Sequence, residues 1–87
     1  MARVVVARAA REALEELDYL RAEAVVDALG ELERDPRAGY QLRGRLRGLW
    51  SYRVGVYRII YELREEDQTV RVVAIRHRAT TYGADPR

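Results

Sequence analysis

The chain has 87 residues, 48% hydrophobic and 34% charged, which suits one packed domain (residues 1–87), and none is cysteine, so disulfides, thiolate metal sites and cysteine nucleophiles are excluded. The longest apolar run near the start, VVVA at 4–7, is far too short for a signal peptide or a membrane span, so a cytoplasmic protein with no membrane partner is expected. The formal net charge of +2 conceals a division: residues 8–35 hold nine acids against four arginines, and residues 36–87 hold eleven arginines against five acids, an excess of six. Such a local excess steers phosphate even when the whole chain is close to neutral. All 16 basic residues are arginines, which keep their charge in a protein and so bind or neutralise anions but do not act as general bases. A domain this short hides only about 60–65% of its unfolded surface, leaving room for a partner protein to add stability.

In chain order, Val4, Val5 and Val6 are β-branched with no polar alternation and predict a short buried strand. Ala10, Ala13, Leu14 and Leu17 then recur at helical spacing, with Glu12, Glu15, Glu16 and Asp18 on other faces. Val25, Val26, Leu29 and Leu32 repeat the pattern, with Glu23, Asp27, Glu31 and Glu33 outward. One helix over residues 8–34 would be about 40 Å long at ~1.5 Å per residue, too long for a domain of this size. A helical hairpin breaking near Asp18 and Tyr19 is expected instead. Asp35-Pro36 ends the second helix, because the residue before proline disfavours helical geometry.

Downstream the period changes to two. Trp50, Tyr52 and Val54 point one way, and Ser51 and Arg53 the other. Gly55 marks a bend. Tyr57, Ile59, Tyr61 and Leu63 alternate with Arg58, Ile60 and Glu62; residues 65–68 form a turn, and residues 70–75 form the next strand. The expected fold is α+β in the order β-α-α-β-β-β. After an N-terminal strand, the helical hairpin would pack on one face of a small, mainly antiparallel sheet. Arginines interleaved with aromatic residues on a sheet suit a polyanion whose bases can stack, which makes RNA the first partner to consider.

The strings LRGRLRGLWSYRVG (42–55), VYRIIYEL (56–63) and IRHRATTY (75–82), with the Asp35-Pro36-Arg37 helix stop, resemble the RelE/ParE superfamily of bacterial toxin–antitoxin toxins. The resemblance covers nearly the whole length. It implies one of two activities: ribosome-dependent cleavage of messenger RNA in the RelE branch, or poisoning of DNA gyrase in the ParE branch. A catalytically inactive member acting with its antitoxin as co-repressor is a third alternative. The HR…Y tail favours the ribonuclease branch. Carried over by position, the catalytic strand arginine matches Arg58, the second phosphate-binding arginine matches Arg78 and the terminal tyrosine matches Tyr82. Arg53 falls on a basic position of the same site. Better-studied ribonucleases of the family carry lysines on the strand matching residues 49–51, where this chain has Leu-Trp-Ser.

The resemblance also implies the partners: a cognate antitoxin in a hetero-oligomeric complex, the ribosome and mRNA. It implies no cofactor and no metal, because the ribose 2′-hydroxyl attacks the adjacent phosphorus directly. Guanidinium groups aimed at the charge developing on that phosphate would each contribute ~10²–10³ in rate. Arg58 and Arg78 are the expected clamps, with Arg53 or Arg76 as a third. Tyr82 and His77 are the candidates for moving protons, with binding roles as the milder alternative for each. Trp50, Tyr57 and Tyr61 are expected to be core or sheet aromatics.

Overall fold

In a computed structural model, which describes residues 1–78, the valine run forms β1 (Arg3–Val6). It lies at one edge of the sheet, with Val4 and Val6 turned inward and Val5 39% exposed. The expected fully buried strand is therefore covered on one face only. Helices α1 (Arg8–Glu15) and α2 (Tyr19–Arg34) follow as a hairpin. The break falls at Asp18 because its carboxylate caps α2, accepting the Arg21 backbone N–H at 2.9 Å and also the Arg21 guanidinium. Such caps satisfy N–H groups that have no partner within the helix. On α2 the buried residues are Val25, Ala28 and Leu32, whereas Val26, expected on the apolar stripe, is exposed. Val26 lies about 100° around the helix from Val25, off the stripe that meets the sheet.

The remaining elements are β2 (Tyr40–Gln41), a 3₁₀ turn (Gly44–Leu46), β3 (Trp50–Val54), β4 (Tyr57–Arg64) and β5 (Thr69–His77). The described strands form one five-stranded sheet in the order β1-β5-β4-β3-β2. β1 runs parallel to β5 and every other pair is antiparallel. The α+β fold and its order thus hold, with one strand more than expected. A two-residue strand such as β2 is too short to show any period.

Ala10, Val25, Ala28 and Leu32 from the helices pack on Ile59, Tyr61, Val70, Val72 and Ile75 from the sheet. Apolar burial of this kind is the main stabilising term. The strand register shifts between Ile60 and Tyr61: Ile60 pairs with Ala74, but Tyr61 pairs with Val72. Val73 is the extra residue of this β-bulge. Without it, strict alternation would place Val70, Val72 and Arg76 on the same face. The bulge lets Val70, Val72 and Ile75 all reach the core and sends Arg76 to the opposite face.

The loop at 36–39 is fastened to this core. The buried Tyr61 hydroxyl donates to the Pro36 carbonyl at 2.8 Å and accepts from the Gly39 N–H at 3.1 Å. Burial pushes the Tyr61 phenol up to about 12. Gly39 must be glycine, because a Cβ there would lie 2.5 Å from the Ser51 carbonyl oxygen and 2.7 Å from the Tyr61 hydroxyl. Arg37 adds a second fastening: its guanidinium lies 5.6 Å from the centre of the Trp50 ring and pairs with Asp67 at 3.0 Å.

Candidate functional site

A two-residue loop, Gly55-Val56, joins β3 to β4, closed by the pair Val54 and Tyr57. Gly55 takes φ 60°, the left-handed conformation that tight hairpins need at their first central position. The loop length sets the register, so Arg53 stands directly opposite Arg58, and on the other side Arg58 stands opposite Arg76. Three arginines from three adjacent strands thus form one row across the sheet, on the face away from the helices. Like charges directly opposite one another destabilise a sheet. A row of this kind is what an anion-binding surface requires.

Arg58 is the centre of the row and only 5% exposed. Its Nη1 donates to the Tyr40 hydroxyl and lies 3.4 Å from the Ser51 Oγ. The guanidinium carbon also sits 5.9 Å from the centre of the Tyr40 ring, within cation–π range. Ser51 is 1% exposed and pairs with Tyr40 across β2 and β3. These two hydroxyls are neutral acceptors that help orient the buried guanidinium.

The other expected residues are placed as follows. Arg53 and Arg76 are exposed and flank Arg58. Arg78 lies one residue beyond β5, exposed, with its backbone N–H donating to the Val56 carbonyl at 2.6 Å. The cross-strand neighbour of Arg58 is therefore Arg76 and not Arg78. His77 pairs with Tyr57, ring edge to ring face at 5.4 Å. That contact is on the helix side of the sheet, so strand alternation separates His77 from the arginine row. Tyr82 lies outside the described residues. Trp50 and Tyr61 stack at 6.1 Å as sheet aromatics. Sequence reasoning missed Tyr40, whose short strand carries no periodic signal. The only available signal for Ser51 was that it shares parity with Arg53.

Among the described residues, two concavities beside the sheet are of interest. One of about 630 Å³ is lined by Tyr40, Gln41, Leu42 and Arg43, beside the Arg58 contact. The other, about 580 Å³, lies between the start of α2 and the β3–β4 turn and is lined in part by Tyr19, Leu20, Ala24, Val54 and Val56. Tyr19 and Leu20 are largely exposed there. Among the described residues, no helix is long and apolar enough to cross a membrane.

A helical hairpin on one face of a five-stranded mixed sheet is the fold of RelE-like toxins. The chain belongs to the family described as ParE toxin of type II toxin-antitoxin system, parDE, which it matches over residues 4–82. It is similar to Toxin RelG of Mycobacterium tuberculosis, 44% identical over 61 residues that cover 68% of this chain and 70% of the relative. Toxin RelE of the same organism is 32% identical over 83 residues, covering 94% of this chain and 86% of the relative. Among solved structures, the toxin–antitoxin complex RelBE2 of M. tuberculosis matches with a TM-score of 0.81 and 39% identity, over 90% of this chain and 92% of that one. The family description is ParE, whereas both M. tuberculosis relatives carry Rel names.

Proposed function

We propose that the chain is a RelE-type toxin, a metal-independent endoribonuclease that cuts messenger RNA on the ribosome and so inhibits translation. The observation that carries this reading is the row of Arg53, Arg58 and Arg76, with Arg58 contacting the Tyr40 and Ser51 hydroxyls. In the proposed reaction the ribose 2′-oxygen bonds to phosphorus while the bond from phosphorus to the 5′-oxygen breaks. The 2′-hydroxyl loses a proton and the departing 5′-oxygen gains one. The three guanidinium groups neutralise the charge that builds on the phosphate oxygens. Proton transfer is assigned to Tyr82, since His77 faces Tyr57 on the other side of the sheet. Arg78 is assigned to the phosphate at the end of the row.

The partner in the resting cell is a protein antitoxin, as in the RelBE2 toxin–antitoxin complex, and the hetero-oligomeric complex of this chain is placed in the cytoplasm. A second reading, inhibition of DNA gyrase, is favoured by the parDE description of the family. Expression of the toxin, with translation and DNA supercoiling followed in parallel, separates the two. Arg58→Ala should relieve growth arrest and lower single-turnover cleavage on programmed ribosomes by ~10²–10³. Wild-type toxicity of that variant would remove Arg58 from the mechanism, and loss of supercoiling with translation intact would favour the second reading.

A further inference from the structure

Tyr40 stands at the rim of the site, 42% exposed, on an edge strand of two residues. Such a strand would not by itself hold a side chain in place. Here it is held from three directions. The preceding Gly39 N–H is bound by the buried Tyr61 hydroxyl at 3.1 Å. The Tyr40 backbone pairs with Ser51. The absence of a Cβ at Gly39 lets the chain pass close against the Ser51 carbonyl. The core thus fixes the loop, the loop fixes Tyr40, and Tyr40 meets the guanidinium of Arg58 through both its hydroxyl and its ring.

We propose that Tyr40 is a positioning residue: it holds the Arg58 guanidinium in the orientation that receives the scissile phosphate. The proposal rests on the cleavage reading above. A carboxylate at this position would orient Arg58 equally well but would cancel its charge. A phenol orients it as a neutral partner. The concavity of about 630 Å³ beside Tyr40 gives the RNA strand access to the same edge. Because Tyr40 acts through Arg58, its contribution vanishes when Arg58 is removed.

The test is a double-mutant cycle in single-turnover cleavage on programmed ribosomes, with thermal melting to verify folding. Tyr40→Phe should lower the rate at saturating ribosome by ~10-fold, the scale of a small misplacement of a catalytic group. The half-saturating concentration should stay within about twofold, since ground-state binding is not what is lost. In an Arg58→Ala background the same substitution should change nothing further. A second readout does not need activity: the side-chain ¹⁵N–H resonances of Arg58, identified by their disappearance in Arg58→Ala, should move in Tyr40→Phe. If wild type cuts but Tyr40→Phe cuts equally fast, or slows as much without Arg58 as with it, the positioning role is overturned. If wild type does not cut while the Arg58 resonances still respond, the cleavage reading fails and the contact stands. Unmoved resonances in an inactive wild type would sink both.

Discussion

Replacing Tyr61 by phenylalanine removes one oxygen from the core and leaves its shape unchanged. The ring can still stack on Trp50 at 6.1 Å. What disappears is the fastening of the loop at 36–39: the hydrogen bond to the Pro36 carbonyl at 2.8 Å and that from the Gly39 N–H at 3.1 Å. Each contributes about 1 kcal/mol net, and the two groups left behind are part-buried, so the loss should be ~2 kcal/mol. In a domain of this size each kcal/mol lowers Tm by ~4–8 °C, so circular-dichroism melting should show a fall of ~8–16 °C. The pH dependence provides an independent check. Burial raises the Tyr61 phenol from 10.0 to about 12. A folded phenol that ionises later than the unfolded one contributes stability that is complete below the unfolded value and is lost as pH rises through the folded value. Wild type should therefore lose stability between pH 10.0 and about 12 more steeply than Tyr61→Phe does. A variant melting within ~2 °C of wild type, with an unchanged alkaline limb, would show that the hydroxyl does not fasten the loop.

Three further outcomes are expected. If Arg53, Arg58 and Arg76 each contact a phosphate, the log–log plot of RNA affinity against salt should slope at about −2, and a flat plot contradicts the arginine row as an RNA surface. Asp18→Ala should lower Tm at neutral pH. The Arg21 backbone N–H, then its guanidinium, hold the Asp18 carboxyl below the usual 3.8, so this stability is present above that value and lost as pH falls through the folded one; a gap that persists in strong acid would refute the cap. In the turn after β4, Glu65, Glu66 and Asp67 take φ of 56°, 56° and 69°, and relief of that strain less the added backbone freedom should let Glu66→Gly stabilise by ~0.5 kcal/mol. A lower Tm for that variant would count against strain in the turn.

Arg58 and Arg53 were expected at the site from the family resemblance, and the short loop Gly55-Val56 pairs them directly. Arg76 was expected as a possible third clamp but not as the cross-strand neighbour of Arg58. Its position depends on the bulge at Val73, and no local signal in TVRVVAIRH marks where an extra residue is absorbed. His77 was grouped with the arginines by adjacency along the chain. In a strand, adjacency means opposite faces, and its partner is Tyr57. Tyr40 was invisible because its role comes from a backbone held 22 residues away by Tyr61.

By itself the sequence determined what depends on neighbours along the chain. That covers the helical hairpin broken at Asp18, the stop at Asp35-Pro36, the tight turn at Gly55 and the alternation of β3 and β4. Those are matters of capping, proline sterics, glycine conformation and period, each decided within a few residues. The tertiary structure decided everything that needs two distant segments. It set β1 at the edge beside β5, added β2, switched the face of Arg76 through the bulge and joined Tyr40 to Arg58 across 18 positions. The physical reason is that a core fills the space between helices and sheet as a whole. Val70, Val72 and Ile75 all need to be buried, strict alternation does not allow it, and the strand yields by one residue. That adjustment, made to pack the core, is what aligns three arginines on the opposite face.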